Sequence, residues 1–266
     1  MNTVTLTVKK QPELYLECEN VNPDVFAGKK LDQLAKLGAY QGKAIETLGD
    51  YFTIAGESGA TAADTKIVVS GDCTKMKYLG AKMTAGEMIV NSDCDMYTGS
   101  WMKGGKLTVN GNVHSFCGLA MAGGEFVING NAGNYLVAAY RGDWRGMSGG
   151  VCRVKGNAGS DVASFMIGGT LIIGGDVDIH LGTHMEGGKI ILKGNANRRV
   201  GGQLVKGEIF VFGRINVMMP GYKPVGEVEL EADGTKAKFV DYIGDLGERH
   251  PKRKGETVYG HLYMKK

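Results

Sequence analysis

A glycine-rich unit of 19 residues recurs through the middle of this chain, and no other feature limits its possible folds so strongly. Met83, Met102 and Met121 are 19 apart. Met147, Met166 and Met185 are again 19 apart, with Leu204 in the next place. The step from Met121 to Met147 is 26, the same period with seven residues inserted. A glycine stands three residues after each of these positions, as in Gly86, Gly105, Gly124 and Gly150. Apolar residues follow at plus five (Met88, Leu107, Phe126, Cys152) and plus seven (Val90, Val109, Ile128, Val154). Gly111, Gly130, Gly156, Gly175 and Gly194 come next, each followed by Asn or Asp; Gly213 is followed by Arg214.

Apolar residues two apart mark one face of a short strand. The flanking glycine pairs supply the positive φ of sharp corners. A strand this short cannot bury its face alone and must stack on copies of itself. The pattern predicts an all-β fold: a parallel β-helix, or β-solenoid, of seven to eight 19-residue coils. Coils spaced about 4.8 Å apart give a rod of roughly 35 Å. Two further features agree. The five prolines (Pro12, Pro23, Pro220, Pro224, Pro251) all lie outside the repeat, where each strand must both donate and accept hydrogen bonds. At plus four, Glu87, Lys106 and Glu125 alternate in sign, as do Lys189 and Glu208, so that stacked neighbours attract.

The repeat occupies residues 66–215, with its insertion at 140–146. Residues 1–65 are expected to form an N-terminal cap, because a solenoid end exposes an unpaired edge. This segment holds a strand at Val4–Val8, a short helix around Asp24–Leu37 with Leu31, Leu34 and Leu37 on one face, and a strand near Phe52. Residues 216–266 are expected to form a C-terminal cap with strands at Glu227–Glu231 and Ala237–Tyr242, then a basic tail at Arg249–Lys254.

Composition excludes several classes of function. A net charge of +3 is too weak for a nucleic-acid footprint, and no run of about 18 apolar residues forms a membrane span. The start, MNTVTLTVKK, lacks a signal peptide, so the expected location is cytoplasmic. Five cysteines without a C-x-x-C point away from a disulfide framework, a metal site or an iron–sulfur cluster. Cys73 and Cys94 share a column with Val113 and Ala132, which reads as small buried side chains in adjacent coils. His180 and His184 lie four apart in the loose half of a coil without a third ligand in sight. Nucleophile elbow, P-loop and H-E-x-x-H are absent, and the recurrence of Gly-Gly in every unit makes it architecture rather than a phosphate loop. No catalytic residue and no metal site is assigned.

Two features read as contact surfaces. The plus-six position, between the two core columns, should point outward yet holds Ile172, Ile191 and Phe210. A row of apolar side chains outside a rod needs a cover, and a partner protein is preferred here over the chain's own cap. The insertion reads Y-R-G-D-W-R-G. Tyr140, Arg141, Asp143, Trp144 and Arg145 include Arg and Trp, residue types enriched at interface hot spots. Contact with a neighbouring protein is preferred over a solvent loop with an internal Asp–Arg pair.

The repeat, its interruption by YRGDWRGMSGG and the N-terminal VTLTVKKQPE together resemble the C subunit of formylmethanofuran dehydrogenase across essentially the whole chain. The repeat alone is less specific, being related to the glycine-rich β-helix at the C-terminus of glutamate synthase. The resemblance implies a non-catalytic scaffolding subunit of a complex that reversibly reduces CO2 and forms N-formylmethanofuran. It places the chemistry on other subunits: a tungsto- or molybdopterin subunit with iron–sulfur clusters, and an amidohydrolase-like subunit with a dinuclear metal centre, beside which the C subunit packs. Methanofuran carries an acidic glutamyl chain, and Arg141, Arg145 or the basic tail are expected to attract it. The equivalent subunit of a bacterial formyltransferase/hydrolase complex is the alternative. A free-standing β-helix enzyme such as a hexapeptide acyltransferase is disfavoured, because 19 does not divide into six-residue turns.

Overall fold

The computed structural model describes residues 1–244 and 259–266. The basic stretch Arg249–Lys254 lies outside them. The described residues are almost entirely strands and turns; the three helices have four or five residues each.

From Glu87 onward the sequence period is the register of the main sheet; the first step, from Lys66 to Glu87, spans 21 residues. Lys66 pairs with Glu87, Glu87 with Lys106, Lys106 with Glu125, Glu125 with Val151, Val151 with Thr170, Thr170 with Lys189, and Lys189 with Glu208, every pair parallel. The seven extra residues are absorbed between Glu125 and Val151 without breaking the ladder. The plus-five and plus-seven columns face inward: Leu107, Val109, Phe126, Ile128, Leu171 and Ile173 are fully buried. Of the alternating charges, Lys106–Glu125 meet at 3.1 Å and Lys189–Glu208 at 3.0 Å, while Glu87 takes Lys66 at 3.2 Å. These pairs are half-exposed, so each contributes a few tenths of a kcal/mol, roughly, and mainly favours this register over a slipped one.

The methionine and glycine columns form one device. A Cβ on Gly105 would stand 2.5 Å from the Met83 Cε, and one on Gly169 or Gly188 would stand 2.7 Å from the methyl of Met147 or Met166. These methionines thus fill the space that the glycine of the next unit leaves open. The Asn/Asp column is a second device. The Asn112 side-chain oxygen accepts from the Asn131 backbone N–H at 2.8 Å, Asn131 does the same for Asn157, and Asn157 for Asp176. Arg214 ends the series, because its backbone N–H donates to Asn195 at 3.1 Å and no further unit needs an acceptor.

At the N-terminus, strand Asn2–Val8 lies between Thr65–Ser70, which it meets in parallel, and Phe52–Gly56, which it meets antiparallel. The expected single helix around Asp24–Leu37 is instead two short helices, Pro23–Phe26 and Leu31–Ala35. Gly28, at φ 71°, turns the chain between them. Leu34 is buried, while Leu31 is exposed.

At the C-terminus, Lys223–Ala232 and Thr235–Ile243 form an antiparallel hairpin closed by Asp233 and Gly234, at φ 47° and 70°. Asp-Gly with both residues at positive φ is a two-residue turn suited to strand twist. Strand His261–Lys265 then joins Thr235–Ile243 to Lys206–Val211, extending the main sheet to 13 strands.

This arm corrects the expectation for the outward apolar row. Ile172, Ile191 and Phe210 are 7%, 2% and 1% exposed, in one cluster with Ala232, Phe239 and Tyr263. The Phe210 ring meets Phe239 edge-on at 5.5 Å and lies 4.7 Å from Tyr263. The chain buries the row itself. Ile172, Ile191 and Phe210 are therefore not available to a partner protein.

Candidate binding face around the insertion

The loose half of each unit carries a second set of columns. Tyr78, Tyr97, Phe116 and Tyr135 occupy one position in four successive units, followed by Asp161, His180 and Arg199 in the next three. All seven adopt the left-handed conformation, with φ between 57° and 64°. An L residue there costs about 1–2 kcal/mol. Stacking offsets this: Tyr78–Tyr97, Tyr97–Phe116 and Phe116–Tyr135 lie 4.7, 5.4 and 4.8 Å apart, within 12° of parallel. Such contacts stabilise by about 0.5–1.5 kcal/mol each, so the three of them offset part of the strain of the four aromatic positions. Burial pushes the Tyr78 hydroxyl up to about 12 and raises that of Tyr97, so both remain protonated donors at neutral pH.

Beyond Tyr135 the ladder becomes polar. The His180 Nδ1 lies 3.0 Å from an Asp161 carboxylate oxygen, and its Nε2 lies 3.4 Å from Arg199 Nη1. A neutral His180 satisfies both contacts, donating from Nδ1 and accepting at Nε2 from the guanidinium. Four residues along, Phe165 and His184 stack at 4.7 Å. The two histidines that sequence spacing leaves unassigned therefore face one cleft. The signal is present in the sequence, since the 19-residue period aligns Asp161, His180 and Arg199, but it is hidden when the period is applied only to apolar and glycine columns.

The insertion enters at a corner rather than in a strand, and folds onto this face. Trp144 meets Phe165 edge-on at 5.4 Å, the Arg141 guanidinium lies over Phe116 at 5.7 Å, and Tyr140 lies 6.0 Å from Trp101. Trp144 is nevertheless 73% exposed and Tyr140 is 49% exposed. Asp143 accepts from the Trp144 backbone N–H at 2.7 Å, and forms no ion pair with Arg141 or Arg145 among the described residues. The structure thus brings Tyr140, Arg141, Asp143, Trp144 and Arg145 together on an exposed loop, away from Ile172, Ile191 and Phe210. Two adjoining clefts flank it. One of about 300 Å³ runs between Arg141 and Phe165; the other, about 620 Å³, is lined by His180, Arg198, Arg199 and Met218. Thr183 and His184 line both.

The five cysteines are all buried and unpaired. Burial pushes the thiols of Cys73, Cys94 and Cys152 up to about 12 and raises those of Cys18 and Cys117, which is the opposite of nucleophile activation. Among the described residues no group of three or more His, Cys, Asp or Glu is placed to hold a metal, and no helix is long and apolar enough to cross a membrane.

No protein-family model matches the chain. Its fold matches, over 98% of this chain and 99% of the other, a chain in the crystal structure of the formyltransferase/hydrolase complex (FhcABCD) from Methylorubrum extorquens in complex with methylofuran, with a TM-score of 0.85 at 21% sequence identity. In sequence it is similar to the C subunits of formylmethanofuran dehydrogenases. It is 48% identical over 97 residues, 36% of each chain, to the C subunit of the tungsten-containing formylmethanofuran dehydrogenase 2 of Methanothermobacter thermautotrophicus. It is 48% identical over 148 residues, 56% of this chain and 53% of the other, to the protein of the same name from Methanococcus maripaludis. It is 38% identical over 97 residues, 36% of this chain and 32% of the other, to the C subunit of the molybdenum-containing formylmethanofuran dehydrogenase 1 of Methanosarcina barkeri. The matched stretches thus span about a third to a half of these relatives.

Proposed function

We propose that this chain is a non-catalytic, contact-making subunit of a formylmethanofuran dehydrogenase complex, which reversibly reduces CO2 and forms N-formylmethanofuran. The observation that carries this is the 48% identity over 148 residues to the C subunit of one such enzyme. On this reading the stacked units form a parallel β-helix, with residues 1–65 and 216–266 as its caps. The complex works in the cytoplasm. The pterin, the iron–sulfur clusters and the dinuclear metal centre belong to other subunits, and this chain packs beside the amidohydrolase-like one through Tyr140, Asp143 and Trp144. The exposure of Trp144 and Tyr140 leaves both available for that contact, and Trp and Tyr are enriched at interface hot spots. Arg141 and Arg145 stand on the same loop, where they would meet the acidic chain of methanofuran.

The fold match to a chain of the formyltransferase/hydrolase complex favours one second reading, the equivalent subunit of such an assembly. Purification of the tagged full chain from its own cells without dissociation, followed by identification of what co-elutes, separates the two. Stoichiometric pterin and amidohydrolase-like subunits are expected. An amidohydrolase-like subunit without a pterin subunit would favour the second reading, and a chain that elutes alone would contradict both.

A further inference from the structure

The C-terminal arm leaves the long sheet with an open edge. Strand Lys223–Ala232 stands at the end of the 13-strand order, and no strand pairs with its outer side among the described residues. The two-residue turn at Asp233 and Gly234 decides which of its backbone groups are free. The pair that closes such a turn, Ala232 and Thr235, exchanges both hydrogen bonds, and every second pair beyond it does the same. This phase gives the hairpin bonds to Leu230 and Val228, opposite Ala237 and Phe239, and turns the N–H and C=O groups of Glu227, Glu229 and Glu231 outward. The Lys238 carbonyl agrees, since it accepts from the Lys266 N–H at 3.1 Å on the other side of its strand, away from Glu229 opposite it. Open edges are ordinarily blunted by proline, lysine or a bulge. Here Pro224 and the irregularity between Pro224 and Gly226 blunt only the start of the strand, and residues 227–232 carry none of these.

We propose that residues 227–232 accept an added strand from another protein, one in which basic residues alternate with apolar ones. Charge selects this partner. The side chains of Glu227, Glu229 and Glu231 stand on one face of the strand, and all three are exposed. A second copy of this chain pairing edge to edge would set these glutamates against their own kind. The neighbouring strand carries Lys236 and Lys238 opposite Glu231 and Glu229, and Glu229 meets Lys236 at 3.1 Å. Columns of opposite sign thus alternate across the arm, and a basic strand continues the series. The other face sets the apolar positions. Val228 and Leu230 are partly buried against the cluster that holds Ile172 and Phe210. The arm reaches as far as Val151–Val154, where Val151 joins that cluster and Arg153 meets Asp233. Beyond it the outward row continues, half-exposed, through Val127, Thr108 and Ile89. Alternate residues of an added strand would meet that row. This edge lies apart from the insertion, and the proposal stands whichever complex the chain serves.

The test is binding of a fluorescent octapeptide of alternating lysine and valine to the full chain at low salt, read by anisotropy. Saturable binding that weakens with added salt is expected. Glu229→Pro should bind at least about tenfold more weakly, because it removes an outward N–H together with a charge, at an edge that tolerates proline. Glu229→Gln keeps the N–H and should lose less. An unchanged thermal midpoint checks that both variants are folded. A peptide of the same composition, with its lysines and valines in two blocks, should bind more weakly than the alternating one. Hydrogen exchange of the wild-type chain needs no variant. Bound peptide should slow the amides of Glu227, Glu229 and Glu231 and leave those of Val228 and Leu230 unchanged, since the hairpin already holds them. No saturable binding, equal loss in the two folded variants, equal affinity for the block peptide, or unchanged exchange at the three glutamates would each overturn the proposal. A dimer of the free chain that Glu229→Pro dissolves would also overturn it, by making a second copy the occupant.

Discussion

Gly105 illustrates what single residues contribute to this fold. At φ 72°, it leaves room for the Met83 methyl, and a Cβ there would also stand 2.8 Å from the backbone of Ala85. Gly105→Ala should therefore destabilise by about 2 kcal/mol or more, through the left-handed backbone and the displaced methionine together. Chemical denaturation measures this, and a loss near zero would show that the neighbouring unit simply shifts aside. The cysteines carry a different expectation. All five are buried, with thiols raised by burial. The native chain should react with no thiol reagent within minutes at pH 8, and unfolding should release five reactive groups. Fast labelling of any one in the folded chain would contradict the buried columns.

At the scale of elements, the ladders and the C-terminal arm do separate work. Asn131 accepts from the Asn157 backbone N–H and donates to Asn112. Asn131→Ala should cost about 1–2 kcal/mol, a value that denaturant titration resolves. The arm is held through Phe239 and through Asp233, which meets Arg153 at 2.9 Å and Lys193 at 3.5 Å. The hydrogen bond from Arg153 holds the Asp233 carboxyl below the ordinary range. A carboxyl lowered in the folded state stabilises above its unfolded value and loses that contribution as pH falls through its folded value. The arm should therefore loosen below about pH 4, and Asp233→Asn should flatten that dependence. Hydrogen exchange along Thr235–Ile243 reads the effect, and identical acid profiles for the two chains would remove Asp233 as the cause. The arm is only half legible in sequence. The strands at Glu227–Glu231 and Ala237–Tyr242 follow from composition, and the hairpin extends both. The cover over Ile172, Ile191 and Phe210 is not legible, because nothing local to those residues states that segments 22 to 91 positions later return across them.

For the molecule as a whole, regularity makes the register readable and leaves the binding face obscure. Pairing at 19-residue intervals follows from the Met, Gly and apolar columns, because identical units can satisfy one another only in register. The aromatic column at Tyr78, Tyr97, Phe116 and Tyr135 obeys the same period. It escapes notice because the corners of the unit look like loops when hydrophobic alternation is the only signal sought. His180 and His184 escape as a pair for the same reason, since their neighbours Asp161, Arg199 and Phe165 are close in space and distant in sequence. The insertion stands out because it breaks the period, and the structure leaves its Trp144 exposed on the face that carries the clefts. On the proposed reading the labour is divided: the stack holds the fold, and residues 140–146 are the part proposed to hold the partner.

Co-purification of a tagged Trp144→Ala/Tyr140→Ala chain tests that division most directly. The double variant should unfold at the wild-type temperature, because neither side chain is buried, yet recover at least about tenfold less partner protein. Full recovery of the partners by a variant that is correctly folded would contradict it.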